Sequence, residues 1–228
     1  MQFFNAVILP LTEGLLYTFL IFLITLIASL PLGLLVCMGS KSKIKPICWI
    51  TRGWVWIIRG TPLMLQILFL DTVPGILSQA LGFGFQYALR EPWQHFAMVC
   101  VAFTINYSCY FSEIYRGGIQ SIPAGQYEAA QVLGMTKSQT FSKVILLQVI
   151  KRIVAPMSNE IITLVKDTAL ASVVIHLDMF TVAKEIVNQK PQYFLWPLIV
   201  SAIFYLIFNG VLTIILGKFE KKLNYFKV

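Results

Sequence analysis

Residues 15–36 form a run without a single charged side chain. Roughly 20 apolar residues are what an α-helix needs to cross the hydrocarbon core of a bilayer, so this run calls for an integral membrane fold. The composition agrees: 57% of residues are hydrophobic, mean hydropathy is +0.76 and only 12% are charged, against roughly 25% in an average soluble domain. The N-terminus lacks a basic region, and no small-residue cleavage site follows the first run, which is also too long for a signal-peptide core. It is expected to remain as a span. A single domain, 1–228, is the natural count for this length.

The hydropathy pattern predicts an all-α chain with five spans, at about 15–36, 53–70, 92–111, 149–177 and 193–216. Span two contains the interruption Arg59-Gly60-Thr61-Pro62, and a hydrophilic link, 71–91, precedes span three. Five spans put the termini on opposite sides. The links 37–54 and 112–152 and the tail after Gly217 hold 4, 5 and 4 Lys and Arg, whereas the N-terminus and the links 71–92 and 178–192 hold 0, 1 and 2. The imbalance of 13 against 3 predicts an outside N-terminus and a cytoplasmic C-terminus. The net charge of +8 therefore reads as a topology signal rather than a nucleic-acid contact. No internal repeat is visible, which disfavours an autonomous secondary transporter unless an oligomer supplies what the monomer lacks.

Between spans three and four lies SIPAGQYEAAQVLGMTKSQT, residues 121–140, polar and helix-capable. Ser121 and Pro123 suit an opening turn, Gly134 suits a left-handed stop, and Thr136 followed by Gln139 has capping-box spacing for a second helix. The charge count puts this elbow in the cytoplasm. Locally it reads either as a docking knob or as an amphipathic connector.

The fourth span is charged. Asn159, Glu160, Thr163, Lys166 and Asp167 fall within an arc of about 120° on one predicted helix, with Ile161, Ile162, Leu164 and Val165 on the remainder. Ionisable groups facing lipid at mid-bilayer would cost on the order of 3 kcal/mol or more each, so the stripe must face protein or water. Either it forms a buried ion-pair cluster that locks helices together, or it lines a pathway for a charged or zwitterionic solute. Arg59 in span two is a second intramembrane charge, beside a Gly and a Pro that free backbone groups, or else a side chain snorkelling toward the surface.

Other chemistry is thin. Cys37, Cys48, Cys100 and Cys109 form no C-x-x-C pair and read as small buried hydrophobes. His95 and His176 stand apart from any partner at metal-ligand spacing and read as interfacial or core histidines. No phosphate-binding glycine loop and no nucleophile–base order is present, so no catalytic residue, no metal site and no enzymatic activity are expected of this chain. If transport consumes nucleotide, another chain hydrolyses it.

The run EAAQVLG, residues 128–134, resembles the cytoplasmic EAA motif of permease subunits of binding-protein-dependent ABC importers. Three further runs narrow the resemblance to the polar amino acid uptake family of histidine, arginine, glutamine, glutamate and cystine permeases. They are EIYRGGIQSIPAGQYEAA (113–130), RGTPLMLQ (59–66) and NEIITLVKDTALASV (159–173). They occur in the family's order and span nearly the whole chain.

This resemblance implies a type I importer permease core in the cytoplasmic membrane: five transmembrane helices, and a dimer with itself or with a sister subunit. It also implies two ATPase subunits holding ATP and magnesium, an extracytoplasmic solute-binding protein and a polar amino acid substrate. It carries ATPase docking to Glu128, Ala129, Ala130 and Gly134, and substrate contact to Asn159, Glu160, Thr163 and Asp167 and, from the RGTPLMLQ run, to Arg59 and Gln66. Two departures stand out. Leu147 occupies a place where the family commonly has Pro, which predicts a straighter helix there, and His176 lies where Gly is more common. A gated channel or passive pore would use the same polar stripe without nucleotide. Co-purification with an ATPase separates the two.

Overall fold

The computed structural model describes residues 2–80, 92–175 and 177–223. Its described residues are almost wholly helical, and none is in a strand. A π-helical turn, Phe4–Ile8, leads into α1 (Leu9–Ser40), followed by α2 (Lys45–Gly60), α3 (Leu63–Ala80), α4 (Pro92–Gln120), α5 (Ala124–Val132) and α6 (Lys137–Thr140). A second π-helical turn, Phe141–Ile145, joins α6 to α7 (Leu146–Asp167), which tightens into a 3₁₀ turn, Thr168–Val173. Then come α8 (Met179–Gln189) and α9 (Trp196–Leu223).

Three helical stretches are long and apolar enough to cross a membrane: Phe4–Ser40, Pro92–Gln120 and Trp196–Leu223. A fourth passes only if α2 and α3 count as one span broken by a 107° bend. The cause of that bend is local. Pro62 has no N–H to continue a helix and forces the residue before it to be extended, and Thr61 sits at φ −116°, ψ 144°. Helix α7 carries Lys151, Arg152, Glu160, Lys166 and Asp167 and is not among the stretches long and apolar enough to cross.

The element boundaries differ from the sequence expectation in ways that have physical reasons. Helix α1 extends beyond 15–36 because its flanks, though more polar, contain no helix breaker, Pro10 standing in the first turn where it is tolerated. The link expected to be hydrophilic over 71–91 is helical as far as Ala80, with Thr72 bonded back to the Leu68 carbonyl; residues 81–91 lie outside the described residues. Helix α4 runs past 111 to Gln120, because Glu113, Arg116 and Gln120 pair along the helix and offset the loss of an apolar environment. The α-helix of the fourth apolar region ends at Asp167 rather than near 177, with the Thr168 hydroxyl bonded to the Val165 carbonyl at the tightening. Leu147 lies in the first turn of α7, directly after the π-turn Phe141–Ile145, and the internal proline of α7 is Pro156.

Helices α1 and α4 make the most extensive contact. Gly33 lets them approach: a Cβ there would lie 2.9 Å from the Ser108 carbonyl oxygen and 3.0 Å from Phe111 Cβ. Small residues at a helix seam are how membrane helices gain dispersion contact where lipid removes the hydrophobic drive. Phe22, Phe103, Tyr107, Phe111, Leu164 and Val165 fill the core that α1, α4 and α7 share. Cys37, Cys100 and Cys109 are buried as expected, and Cys48 is half-buried with its thiol on the Ser40 carbonyl. His95, expected to be an interfacial or core histidine, meets Asp71 of α3 at 2.8 Å. His176 lies outside the described residues.

Candidate functional site

Two features of the fold carry chemistry, and α4 connects them. The first is a cavity of about 450 Å³ where the α2–α3 break faces α4 and α7. Glu160, Thr163 and Asp167 line it from α7, Arg59 from the last turn of α2, and Asn106, Tyr107 and Tyr110 from α4. The three α7 residues lie at i, i+3 and i+7, which puts them on one helical face. Asn159 and Lys166 belong to the same sequence stripe but are exposed, outside the cavity lining. Lys166 is therefore not placed to lock Glu160 and Asp167 in an ion-pair cluster: among the described residues, no salt bridge joins them.

Asp167 accepts a hydrogen bond from the buried Tyr107 hydroxyl at 2.7 Å. Arg59 does not simply reach for the surface. Its guanidinium carbon lies 5.0 Å from the Tyr110 ring centroid, a cation–π distance, and a terminal nitrogen lies 3.7 Å from a Glu113 oxygen. Gln66 plays a different part from the cavity residues. Its amide nitrogen donates to the Ile58 carbonyl at 2.7 Å, the Thr61 carbonyl at 3.1 Å and the Thr61 hydroxyl at 2.8 Å, while its oxygen accepts from Asn106 at 3.0 Å. These bonds take up carbonyls that the helix break would leave unpaired and tie the break to α4.

The second feature is the elbow after α4. Helix α5 ends in a Schellman arrangement: Met135 N–H donates to the Ala130 carbonyl and Gly134 N–H to the Gln131 carbonyl, with Gly134 at φ +72°. Thr136 and Gln139 cap α6 reciprocally. Glu128 and Ala129 are exposed and Ala130 is buried within the chain. At the tip Val132 is 88% exposed and Leu133 78% exposed. The rest of the chain thus leaves two large aliphatic side chains uncovered at the elbow tip.

The chain matches the family model described as "Binding-protein-dependent transport system inner membrane component" over residues 29–225. The chain belongs to this family. It is a permease subunit, a transport component of an ABC importer whose ATP hydrolysis is done by separate chains. The permease is 32% identical over 214 residues to the L-cystine transport system permease protein TcyB of Bacillus subtilis, covering 94% of this chain and 86% of the relative. It is 34% identical over 212 residues to the arginine transport system permease protein ArtQ of Bacillus subtilis, covering 93% and 91%. Among solved structures it is similar to the one titled "Crystal structure of an amino acid ABC transporter with histidines". The match has a TM-score of 0.80 and 31% identity, and covers 93% of this chain and 94% of the other.

Four α4 residues of the permease escape a reading by charge alone: Asn106, Tyr107, Tyr110 and Glu113. A signal is nonetheless present in the sequence. Asn106, Tyr110 and Glu113 are spaced i, i+4 and i+7 and share a face, the same periodicity that reveals the α7 stripe. Only Glu113 is charged at neutral pH, so charge does not reveal the face that the three share.

Proposed function

We propose that this permease forms the path of a polar amino acid across the cytoplasmic membrane, with Glu160, Thr163, Asp167 and Arg59 meeting the solute. The observation that carries the reading is their convergence on one cavity. Two carboxylates suit an ammonium group and a guanidinium suits a carboxylate, so the lining complements a zwitterion. A volume of about 450 Å³ is within the roughly 300–1,000 Å³ usual for small-molecule sites. The names of the amino acid permeases it resembles support the same substrate class.

In this reading the subunit crosses the membrane five times, α7 spanning with Glu160 and Asp167 turned toward the cavity, and the Lys and Arg bias puts its N-terminus outside and its C-terminus in the cytoplasm. It works as a dimer, with itself or a sister subunit, alongside two ATPase subunits that bind ATP and magnesium and an extracytoplasmic solute-binding protein. Asn159, exposed in this chain, meets the solute from outside the cavity described here, and Gln66 serves the path by holding the helix break. The segment 121–140 docks on the ATPase through Glu128, Ala129, Ala130 and the turn at Gly134.

The test is uptake of a panel of labelled amino acids by proteoliposomes holding the permease, its ATPase and its binding protein. Accumulation of one or a few polar amino acids that requires ATP is expected. Passage independent of ATP would point to a passive pore instead.

A further inference from the structure

A second cavity, about 670 Å³, lies on the α5 side of the first, lined by Arg52, Trp56 and Arg59 of α2 and by Tyr110, Glu113, Arg116 and Gln120 of α4, among others. The two cavities share Arg59, Gly60 and Tyr110. Their charge is opposite. The first has two carboxylates, Glu160 and Asp167, against Arg59; the second has three guanidiniums, Arg52, Arg59 and Arg116, against Glu113. Walls of low dielectric sharpen such a reversal of potential.

The second chamber is built on facing helix surfaces. Arg52 and Arg59 are seven residues apart, two turns on one face of α2, and Glu113, Arg116 and Gln120 occupy the opposing face of α4. Arg116 grips Glu113 with two nitrogens, one at 2.8 Å, and donates to Gln120 at 2.9 Å. Arg59 is 3.7 Å from the same carboxylate, close enough for attraction but too long for a hydrogen bond. Arg52 donates its Nε to the Ser40 carbonyl at 3.1 Å and has no carboxylate partner among the described salt bridges. A single carboxylate thus serves two guanidiniums, and a third has none.

We infer that this chamber is a carboxylate-binding exit subsite: a zwitterion held by its ammonium at Glu160 and Asp167 turns its carboxylate toward Arg59 and leaves carboxylate-first into the Arg52–Arg116 chamber. Glu113 is the resident competitor there, holding Arg116 and attracting Arg59 when no substrate is present. Planar guanidiniums suit this exchange, because each can hold one carboxylate as well as another in the same two-bond geometry. The inference rests on the proposed amino acid path.

The experiment uses the complete permease–ATPase complex in nanodiscs and two probes, the amino acid identified by the uptake panel and its carboxyl amide. Equilibrium binding is compared among the unaltered complex and the R52Q, R52K and E113Q variants. R52Q is expected to weaken binding of the acid about tenfold, the loss of one charge-assisted bond, and to leave the amide unchanged, with R52K recovering most of the loss. E113Q is expected to tighten binding of the acid several-fold, where a purely structural Glu113 would give weaker binding. Equal effects of R52Q on acid and amide, or weaker acid binding in E113Q, would overturn the subsite while leaving the path intact. If the panel returns no transported amino acid, the path and the subsite fall together.

Discussion

Tyr107 and Asp167, sixty residues apart in sequence, are joined by a 2.7 Å hydrogen bond that fixes the end of α7 against α4. The tyrosine is almost fully buried and stacks on Phe103, so the hydroxyl has little freedom to turn elsewhere. A hydrogen bond to a charged group contributes about 1.5–3 kcal/mol. Y107F removes it without changing the packing volume. Half-saturation for uptake should rise about tenfold or more while the complex assembles normally, measured by transport kinetics and size-exclusion chromatography. Unchanged half-saturation would remove Asp167 from the solute contacts.

Gln66 holds the 107° break between α2 and α3 with two N–H donors shared among three acceptors and one accepted bond. In Q66L the Ile58 and Thr61 carbonyls and the Asn106 amide each lose a partner, and an orphaned buried polar group costs about 1–3 kcal/mol. Thermal unfolding of the purified complex should shift down by several degrees, and uptake should fall with it. Q66E keeps the acceptor for Asn106 but turns two donors into acceptors facing carbonyl oxygens, so it should be at least as damaging. Full stability in both variants would mean that Pro62 alone maintains the bend.

The α7 stripe, the α2 interruption and the capped elbow are legible from the chain because each has a local signature: helical period, Pro and Gly placement, or capping-box spacing. What periodicity does not reveal is which members of a stripe meet which neighbour. Asn159 and Glu160 are adjacent in sequence, yet only Glu160 lines the cavity, since 100° of helix rotation separates them. Gln66 reads as a solute contact in sequence because it stands in the RGTPLMLQ run that resembles the permease family. Its commitment to Ile58 and Thr61 depends on the backbone bend, which is a tertiary outcome. The Arg116–Glu113 pair falls in a segment that hydropathy marks as a link, because a hydropathy window ends where charges begin even when the helix does not.

Gly33 is a packing glycine, and its replacement tests the α1–α4 seam. A Cβ there meets backbone at 2.9 Å (Ser108) and 3.3 Å (Ser112), contacts that no side-chain rotation can relieve. Forcing the helices apart in a packed core costs about 1–3 kcal/mol. G33A should lower the unfolding temperature of the purified complex, and G33V should lower it further. By contrast, a methyl group at Gly53 would have nothing within 4 Å of it, so G53A should leave the unfolding temperature within about a degree or two, given that Ala is the better helix former.

Gly134 separates conformational strain from crowding. It sits at φ +72°, with nothing within 4 Å of the place a Cβ would occupy, so within this chain a side chain meets no obstacle. The cost of valine at this position is the left-handed backbone, about 1–2 kcal/mol, whereas Asn tolerates that region. A valine would therefore open the Schellman turn and re-aim Val132 and Leu133, the exposed pair at the elbow tip. G134V should insert into the membrane normally but lose most substrate-stimulated ATP hydrolysis, and G134N should retain a larger share. L133D, which leaves the turn alone and places a charge on the tip, should reduce co-purification of the ATPase. Normal coupling in G134V would sink the docking role of the elbow. A loss in G134N equal to that in G134V would show that the partner leaves no room at the turn, making close contact rather than backbone conformation the reason for glycine there.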